Sequence, residues 1–149
     1  MTLFVVDASV AAKWFLPASG EPLADEALRL LAGYAHGRLR FAVPDLFWAE
    51  CANILWKAVR QGRWTRSAAE EAILALQARS LPTTSSLDLL EEAFSIAATF
   101  DRTVYDSIYV ALAVRLKAEL VTADERLANA LAAHLPVKWL GSVPSTVSA

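Results

Sequence analysis

Four acidic residues in this 149-residue chain have surroundings that suit metal chemistry: Asp7, Glu50, Asp106 and Asp124. Asp7 ends one short apolar run and Asp124 lies just past another, whereas Glu50 and Asp106 lie inside apolar segments with helical spacing. Two unit charges about 4 Å apart repel by about 4 kcal/mol at an effective dielectric constant near 20. If the fold brings these carboxylates together, a bound cation must therefore neutralise them.

Strand-like runs alternate with longer helical patterns along the chain, which is typical of an α/β fold with a parallel sheet. We expect one domain over residues 1–141, followed by a small polar tail over 142–149 that frays. The expected strands are 3–6, 41–43, 81–85, 119–122 and 137–140, of which 81–85 is the weakest pattern. The expected helices are 9–16, 21–34, 45–61, one from Thr65, one from Ser86 or Asp88 to 100, 104–117 and 124–133.

Two of the acidic residues leave strands at the edge of the sheet where α/β proteins bind ligands. Such sites lie beyond the carboxyl ends of parallel strands, where the strand order reverses. If the strands before Asp7 and Asp124 are neighbours, both carboxylates face one crevice. Each could instead cap the helix that follows it. Ser9 is the better cap for the first helix, which favours a functional role for Asp7.

The other two acidic residues occupy helices that would bury a carboxylate. Glu50 lies beside the apolar face of its helix, where a carboxylate needs a polar partner or a metal. Asn53, one turn later, is a plausible partner, although Glu50 could also extend to solvent at the helix edge. Asp106 lies in the first turn of an almost wholly apolar helix, where a stabilising interaction with the helix dipole is the alternative role.

Composition limits the class of protein. Hydrophobic residues make up 56% of the chain, yet no apolar run reaches the length of about 20 residues that a membrane span needs. This predicts a cytoplasmic protein without membrane contact that covers some apolar surface in an oligomer or with a partner. The only cysteine, Cys51, lies in an apolar helical segment, which predicts a buried thiol and is compatible with a reducing compartment.

Several other kinds of active site are absent from the sequence. There is no glycine-rich phosphate loop, no CxxC and no G-x-S-x-G, and the two histidines, His36 and His134, lie near predicted helix ends. A set of oxygen ligands without histidine or cysteine favours a hard cation, Mg²⁺ or Mn²⁺.

The motifs around these residues resemble those of one family, the PIN-domain ribonucleases, and especially the VapC-type toxins of bacterial toxin–antitoxin pairs. The matching segments are Val5–Ser9, Glu50 with Asn53, Tyr105–Ser107 leading into Ala111–Ala113, and Thr122–Leu127. The resemblance implies a single PIN-like domain with strand order 3-2-1-4-5 flanked by helices. It also implies that Asp7, Glu50, Asp106 and Asp124 form the catalytic and metal-binding set, with Ser9 and Thr122 as polar residues beside them.

The function implied by this resemblance is Mg²⁺- or Mn²⁺-dependent endoribonuclease activity with one or two bound ions. The partners would be an RNA substrate, a cognate antitoxin protein and a second copy in a homodimer. The alternative is a non-catalytic PIN-like α/β module for protein interaction, in which Glu50 and Asp106 would serve only packing and capping.

A basic stretch with one aromatic residue is a weaker candidate for RNA binding, and a solvated helix end is an equally good interpretation of it. Its members are Lys57, Arg60, Arg63, Trp64 and Arg66. Lys13, Arg38 and Arg40 are further basic candidates of the same kind. Among the large aromatic residues, Trp14, Phe15, Trp48 and Trp56 are too many for one small core, so we expect some of them at an interface.

Overall fold

The structure is a computed structural model that describes residues 1–144. The expected domain boundary at residue 141 lies within this range and stays a prediction, whereas residues 145–149 of the tail that was expected to fray lie outside it. Five parallel strands form one sheet in the order β3-β2-β1-β4-β5, which confirms the predicted strand order. They are β1 (Thr2–Val6), β2 (Leu39–Pro44), β3 (Thr83–Thr84), β4 (Glu119–Thr122) and β5 (Val137–Trp139).

Seven α-helices join the strands of the described chain: α1 (Ala8–Ala11), α2 (Ala24–Ala35), α3 (Leu46–Arg60), α4 (Arg66–Ala78), α5 (Ser86–Phe100), α6 (Val104–Leu116) and α7 (Glu125–Leu131). The helix predicted over 9–16 is a single α-turn that continues as a 3₁₀ turn over Ala12–Trp14. Thr65 caps α4 as expected, because its hydroxyl accepts from the Ala68 N–H. The cap of α5 is Ser85 rather than Ser86 or Asp88, since the Ser85 hydroxyl accepts from the Leu87 N–H.

The centre of the sheet sets the position of the acidic residues. β1 pairs with β4 in parallel, with Val6 opposite Val121, and the Asp7 N–H extends this pairing by donating to the Val121 carbonyl at 3.1 Å. The chain therefore leaves β1 and β4 at the same edge of the sheet. This arrangement fulfils the condition under which Asp7 and Asp124 were expected to share a crevice.

Helix α6 has the longest continuous buried stretch of the described helices. Every residue from Ser107 to Ala113 is buried, and the helix packs against β1, β2 and β4. A helix that is apolar on all sides is stable only inside a core. Because α6 is fixed over the central strands, its amino end, with Tyr105 and Asp106, is held beside the site edge of the sheet.

The large aromatic residues divide between core and surface. Trp14 is buried, stacks on Phe41 with ring centroids 5.5 Å apart, and donates from Nε1 to the Ala27 carbonyl at 3.0 Å. Trp56, in contrast, is 51% exposed. Cys51 is buried as predicted, and burial raises the pKa of its thiol, which disfavours a nucleophilic thiolate.

One basic candidate for RNA binding was wrong. Lys13 is buried and its ammonium group donates to Glu21 Oε1 at 2.8 Å and to the Pro22 carbonyl at 2.7 Å. The sequence placed it near a helix end and could not show that the loop after Pro17 folds back over it. In addition, no helix among residues 1–144 is long and apolar enough to cross a membrane.

Candidate active site

The four acidic residues line one cavity of about 620 Å³ at the carboxyl ends of β1 and β4. Asp7 reaches it from the end of β1, Asp124 from the end of β4, Glu50 from α3 and Asp106 from the first turn of α6. The remaining wall is formed by Ala8, Ser9, Leu46, Ala49, Asn53, Ile54 and Tyr105. The fold thus brings together residues that are 117 positions apart in the chain, from 7 to 124.

Asp7 is held by two hydroxyl groups that donate to the same oxygen. Ser9 Oγ donates to Asp7 Oδ2 at 2.9 Å, and Thr122 Oγ1 donates to it at 2.7 Å. Both hydroxyls also accept backbone N–H groups of the β4–α7 connection, Ser9 from Ala123 and Thr122 from Asp124. Ser9 was expected to cap α1, but it does not do so. Instead it links β1 to the chain after β4 and orients the Asp7 carboxylate.

Glu50 is held by a tyrosine that the sequence analysis missed. Tyr109, which is 2% exposed, donates its hydroxyl to Glu50 Oε1 at 2.6 Å. Among the described residues, Asn53 makes no hydrogen bond to Glu50; it is exposed and lines the cavity next to it. The sequence contains one indication that Tyr109 lies near the acidic residues. Tyr109 follows Asp106 by three residues, and residues three apart in a helix share a face.

The capping alternatives have different outcomes for Asp106 and Asp124. At α6 the cap is Thr103, whose hydroxyl accepts from the Asp106 N–H at 3.0 Å, so the Asp106 side chain is not needed as a cap. At α7 Asp124 is the cap, because its Oδ1 accepts from the Leu127 N–H at 3.2 Å. Asp124 still lines the cavity, and its second oxygen leaves it able to act there.

Burial, and to a smaller extent neighbouring charge, disfavours the charged forms of Asp7, Glu50 and Asp106. Burial raises the pKa of Asp7, and the charge of Asp106 raises it further against the lowering effect of the two hydroxyls. Burial is also the main cause of the raised pKa of Glu50, with smaller contributions from Asp7 and Asp106. The pKa of Asp106 is raised by burial first and by the charge of Asp124 to a smaller extent. A cation in this cavity would relieve the repulsion.

The donor chemistry of the cavity fits a hard divalent cation, although the carboxylates do not form a finished cage. Within residues 1–144, no three histidine, cysteine, aspartate or glutamate side chains are arranged closely enough to hold a metal ion as they stand. Carboxylate oxygens are nevertheless the ligands that Mg²⁺ and Mn²⁺ prefer, and both ions retain water molecules in their coordination shells. The site is therefore suited to such an ion without being preassembled for it.

The basic residues proposed from the sequence lie in different surroundings. Lys57 and Arg60 are exposed and line a recess of about 270 Å³ together with Asn53. Arg66 forms an exposed ion pair with Glu70, and Arg63 donates to the Gln61 side chain. Trp64 packs against a small apolar cluster that consists of Ala12, Leu16, Leu55, Ala58, Ala69 and Ala72.

The fold and the site define an α/β protein of the kind that places a set of carboxylates where the strand order reverses. The profile of the PIN domain matches residues 4–131, and the chain belongs to the PIN-domain family. A curated relative, "Ribonuclease VapC3" of Pyrobaculum aerophilum, is 34% identical over 127 residues, which cover 84% of this chain and 92% of the relative. This relative agrees with the resemblance to VapC-type proteins that the motifs indicated.

Solved structures share the fold at lower identity. The crystal structure of PAE2754 from Pyrobaculum aerophilum has a TM-score of 0.73 and 22% identity, covering 99% of this chain and 90% of that chain. A toxin–antitoxin complex from Klebsiella pneumoniae has a TM-score of 0.58 and 18% identity, covering 93% of this chain and 96% of that chain. These similarities support the five-stranded architecture described above.

Proposed function

We propose that this protein is a metal-dependent endoribonuclease that acts as the toxin of a toxin–antitoxin pair. The observation that carries the proposal is the convergence of Asp7, Glu50, Asp106 and Asp124 on one cavity at the carboxyl ends of β1 and β4. The name of the relative that is 34% identical, a ribonuclease, supports the choice of RNA as substrate. The buried thiol of Cys51 suits a reducing cytoplasm, which we include in the proposal.

One or two Mg²⁺ or Mn²⁺ ions would be held by Asp7, Asp106 and Glu50, with Asp124 binding a second ion or orienting the attacking water. When bound, such ions lower the pKa of a coordinated water and stabilise the negative charge that develops on the phosphate in the transition state.

The residues around the cavity prepare the carboxylates for this role. The hydroxyls of Ser9 and Thr122 fix one oxygen of Asp7, and no side chain among residues 1–144 donates to the other oxygen. Tyr109 fixes Glu50 in the same way from inside the core. Partners of this kind orient metal ligands, and their loss typically lowers metal affinity or activity about 10- to 100-fold.

The proposed activity is tested by incubating the purified protein with total RNA in Mg²⁺, in Mn²⁺ and in EDTA. We expect discrete cleavage products with either ion and intact RNA in EDTA. Cleavage that continues unchanged in EDTA would contradict the metal-dependent assignment. Intact RNA in all three conditions, together with no heat of Mg²⁺ binding in calorimetry, would favour the non-catalytic interaction module.

Exposed apolar surface provides two places for the proposed protein partners. Leu87, Leu90 and Phe94 form one stripe along α5 and are 77%, 48% and 67% exposed, which suits a homodimer contact. Between α3 and α4, two apolar recesses share Ala52 and Ile73, with Trp48 in one and Trp56 in the other, and these suit an antitoxin segment.

The homodimer proposal predicts that Phe94→Glu converts a dimer into a monomer in light scattering without loss of helical circular dichroism. A wild-type chain that is monomeric at high concentration would refute it.

A further inference from the structure

We propose that a single RNA strand passes through the acidic cavity between two contacts, a base stacked on Tyr105 at the α6 side and phosphates bound by Lys57 and Arg60 along α3. This inference rests on the proposed function, because it describes how the substrate of that same site is held. Of the residues in the basic stretch, it assigns RNA binding to Lys57 and Arg60 alone.

The acidic cavity is continuous with a basic recess along α3. Asn53 lines both the acidic cavity and the recess whose other walls are Lys57, Arg60 and Gln61. Residues 50, 53, 57 and 60 recur every three or four positions, so they share one face of α3. At about 1.5 Å per residue, Lys57 and Arg60 lie roughly 10 and 15 Å from Glu50 along the helix axis. The basic groups of Lys57 and Arg60 therefore lie on the same side of the carboxylates, along the axis of α3.

The positive charges of this recess are available to a ligand. Within residues 1–144, Lys57 and Arg60 take part in no ion pair, whereas Arg66 pairs with Glu70 and Arg115 pairs with Glu92. Both groups are also exposed, so their charge is free to meet a phosphate. The chain has a net charge of −2, and the cavity itself is acidic. A polyanion therefore needs local cations beside the cavity, and these two residues supply them.

The fold leaves one aromatic ring exposed at the cavity. Tyr105 lines the acidic cavity next to Asp106 and is 67% exposed, although its neighbours in α6 from Ser107 to Ala113 are buried. An exposed aromatic face beside a cavity can stack on an unpaired base, whatever the base is. Lys57 and Arg60 lie on α3 and Tyr105 on α6, so the strand is held on both sides of the carboxylates.

The test measures binding separately from cleavage, using a fluorescein-labelled single-stranded RNA of about 12 nucleotides, within known single-strand site sizes. Affinity is measured by anisotropy over a series of salt concentrations, with the wild-type chain in EDTA and with Asp7→Asn in Mg²⁺. The binding measurement does not depend on RNA cleavage under either condition. If the protein proves to have no ribonuclease activity, the measured affinities can therefore still be interpreted.

The slope of log affinity against log salt concentration is negative. We expect Lys57→Ala and Arg60→Ala each to make it less steep by about 0.7, which is the contribution of one single-strand phosphate contact. Tyr105→Ala should weaken binding about 5- to 150-fold with an unchanged salt slope, and Tyr105→Phe should retain the wild-type affinity. Arg29→Ala removes an exposed positive charge of α2 and is the matched control, with no expected change in slope.

Three results would overturn the proposal. The first is wild-type affinity in Tyr105→Ala, or a wild-type salt slope in both Lys57→Ala and Arg60→Ala. The second is a Tyr105→Phe chain as weak as Tyr105→Ala, which would assign the hydroxyl rather than the ring. The third is an Arg29→Ala chain that loses as much salt dependence as Lys57→Ala, which would mean that the RNA is attracted by overall charge alone.

Discussion

Replacing Asp7 with Asn is expected to lower Mg²⁺-dependent RNA cleavage at least about 100-fold, because loss of a polar partner of a metal ligand already costs about 10- to 100-fold. The asparagine can still accept from Ser9 and Thr122 through its carbonyl oxygen, so the hydrogen bonds at 2.9 and 2.7 Å have a replacement acceptor. What the variant lacks is the charge and the second oxygen ligand. The rate of RNA cleavage under saturating Mg²⁺ measures the effect.

The same variant should make the metal-free protein more stable at neutral pH. Burial raises the pKa of Asp7 in the folded chain, so the folded state disfavours its ionised form. The contribution of Asp7 to stability is therefore fully present below the ordinary aspartate pKa and is lost as the pH rises through that value toward the raised one. Glu50 and Asp106 act in the same direction, since their pKa values are also raised. Asp7→Asn should flatten this fall, and Mg²⁺ should stabilise the wild type more than the variant.

Asp101→Asn is the matched control for this prediction. Asp101 is an exposed acidic residue just before α6 and has a left-handed backbone with φ of 55°, which asparagine tolerates well. Its cleavage rate and its unfolding curve should match those of the wild type. Undiminished Mg²⁺-dependent cleavage by Asp7→Asn would refute the assignment of the site.

The largest effect on folding is expected at Lys13. Its ammonium group is bound to Glu21 and to the Pro22 carbonyl, and the side chains of Lys13 and Glu21 are only 9% and 14% exposed. Removing one partner of a buried ion pair leaves the other charge uncompensated and typically costs about 3–5 kcal/mol. Lys13→Met keeps most of the side-chain volume and should lower the free energy of unfolding by about 3 kcal/mol, measured by urea denaturation.

A double variant distinguishes the contribution of the ion pair to stability from that of side-chain packing. The double variant Lys13→Met, Glu21→Leu should recover most of the lost stability, because an apolar pair of similar volume is often as stable as a buried ion pair. Arg66→Ala removes an ion pair whose side chains are 83% and 60% exposed and should change stability by less than about 0.5 kcal/mol. A Lys13→Met chain as stable as Arg66→Ala would show that the buried pair contributes little.

Much of the architecture could be predicted because the signals are local. These local signals are the apolar run before Asp7, the threonine cap of α4 and the almost wholly apolar pattern of α6, and the structure has all three features. The strand 83–84 was the weakest prediction, and it is the shortest strand of the described sheet. With two residues it contains too little pattern to distinguish a strand from an extended link.

The sequence by itself determined the elements, the parallel sheet and the four acidic residues as candidates, since these depend on residue type and on short spacings. Only the tertiary structure decided which side chains support them. The hydrogen bond from Thr122 to Asp7 spans 115 positions and that from Tyr109 to Glu50 spans 59. The burial of Lys13 likewise depends on a loop that folds back over it. Contacts of this length depend on how strands and helices pack, and no local pattern in the chain encodes that distance.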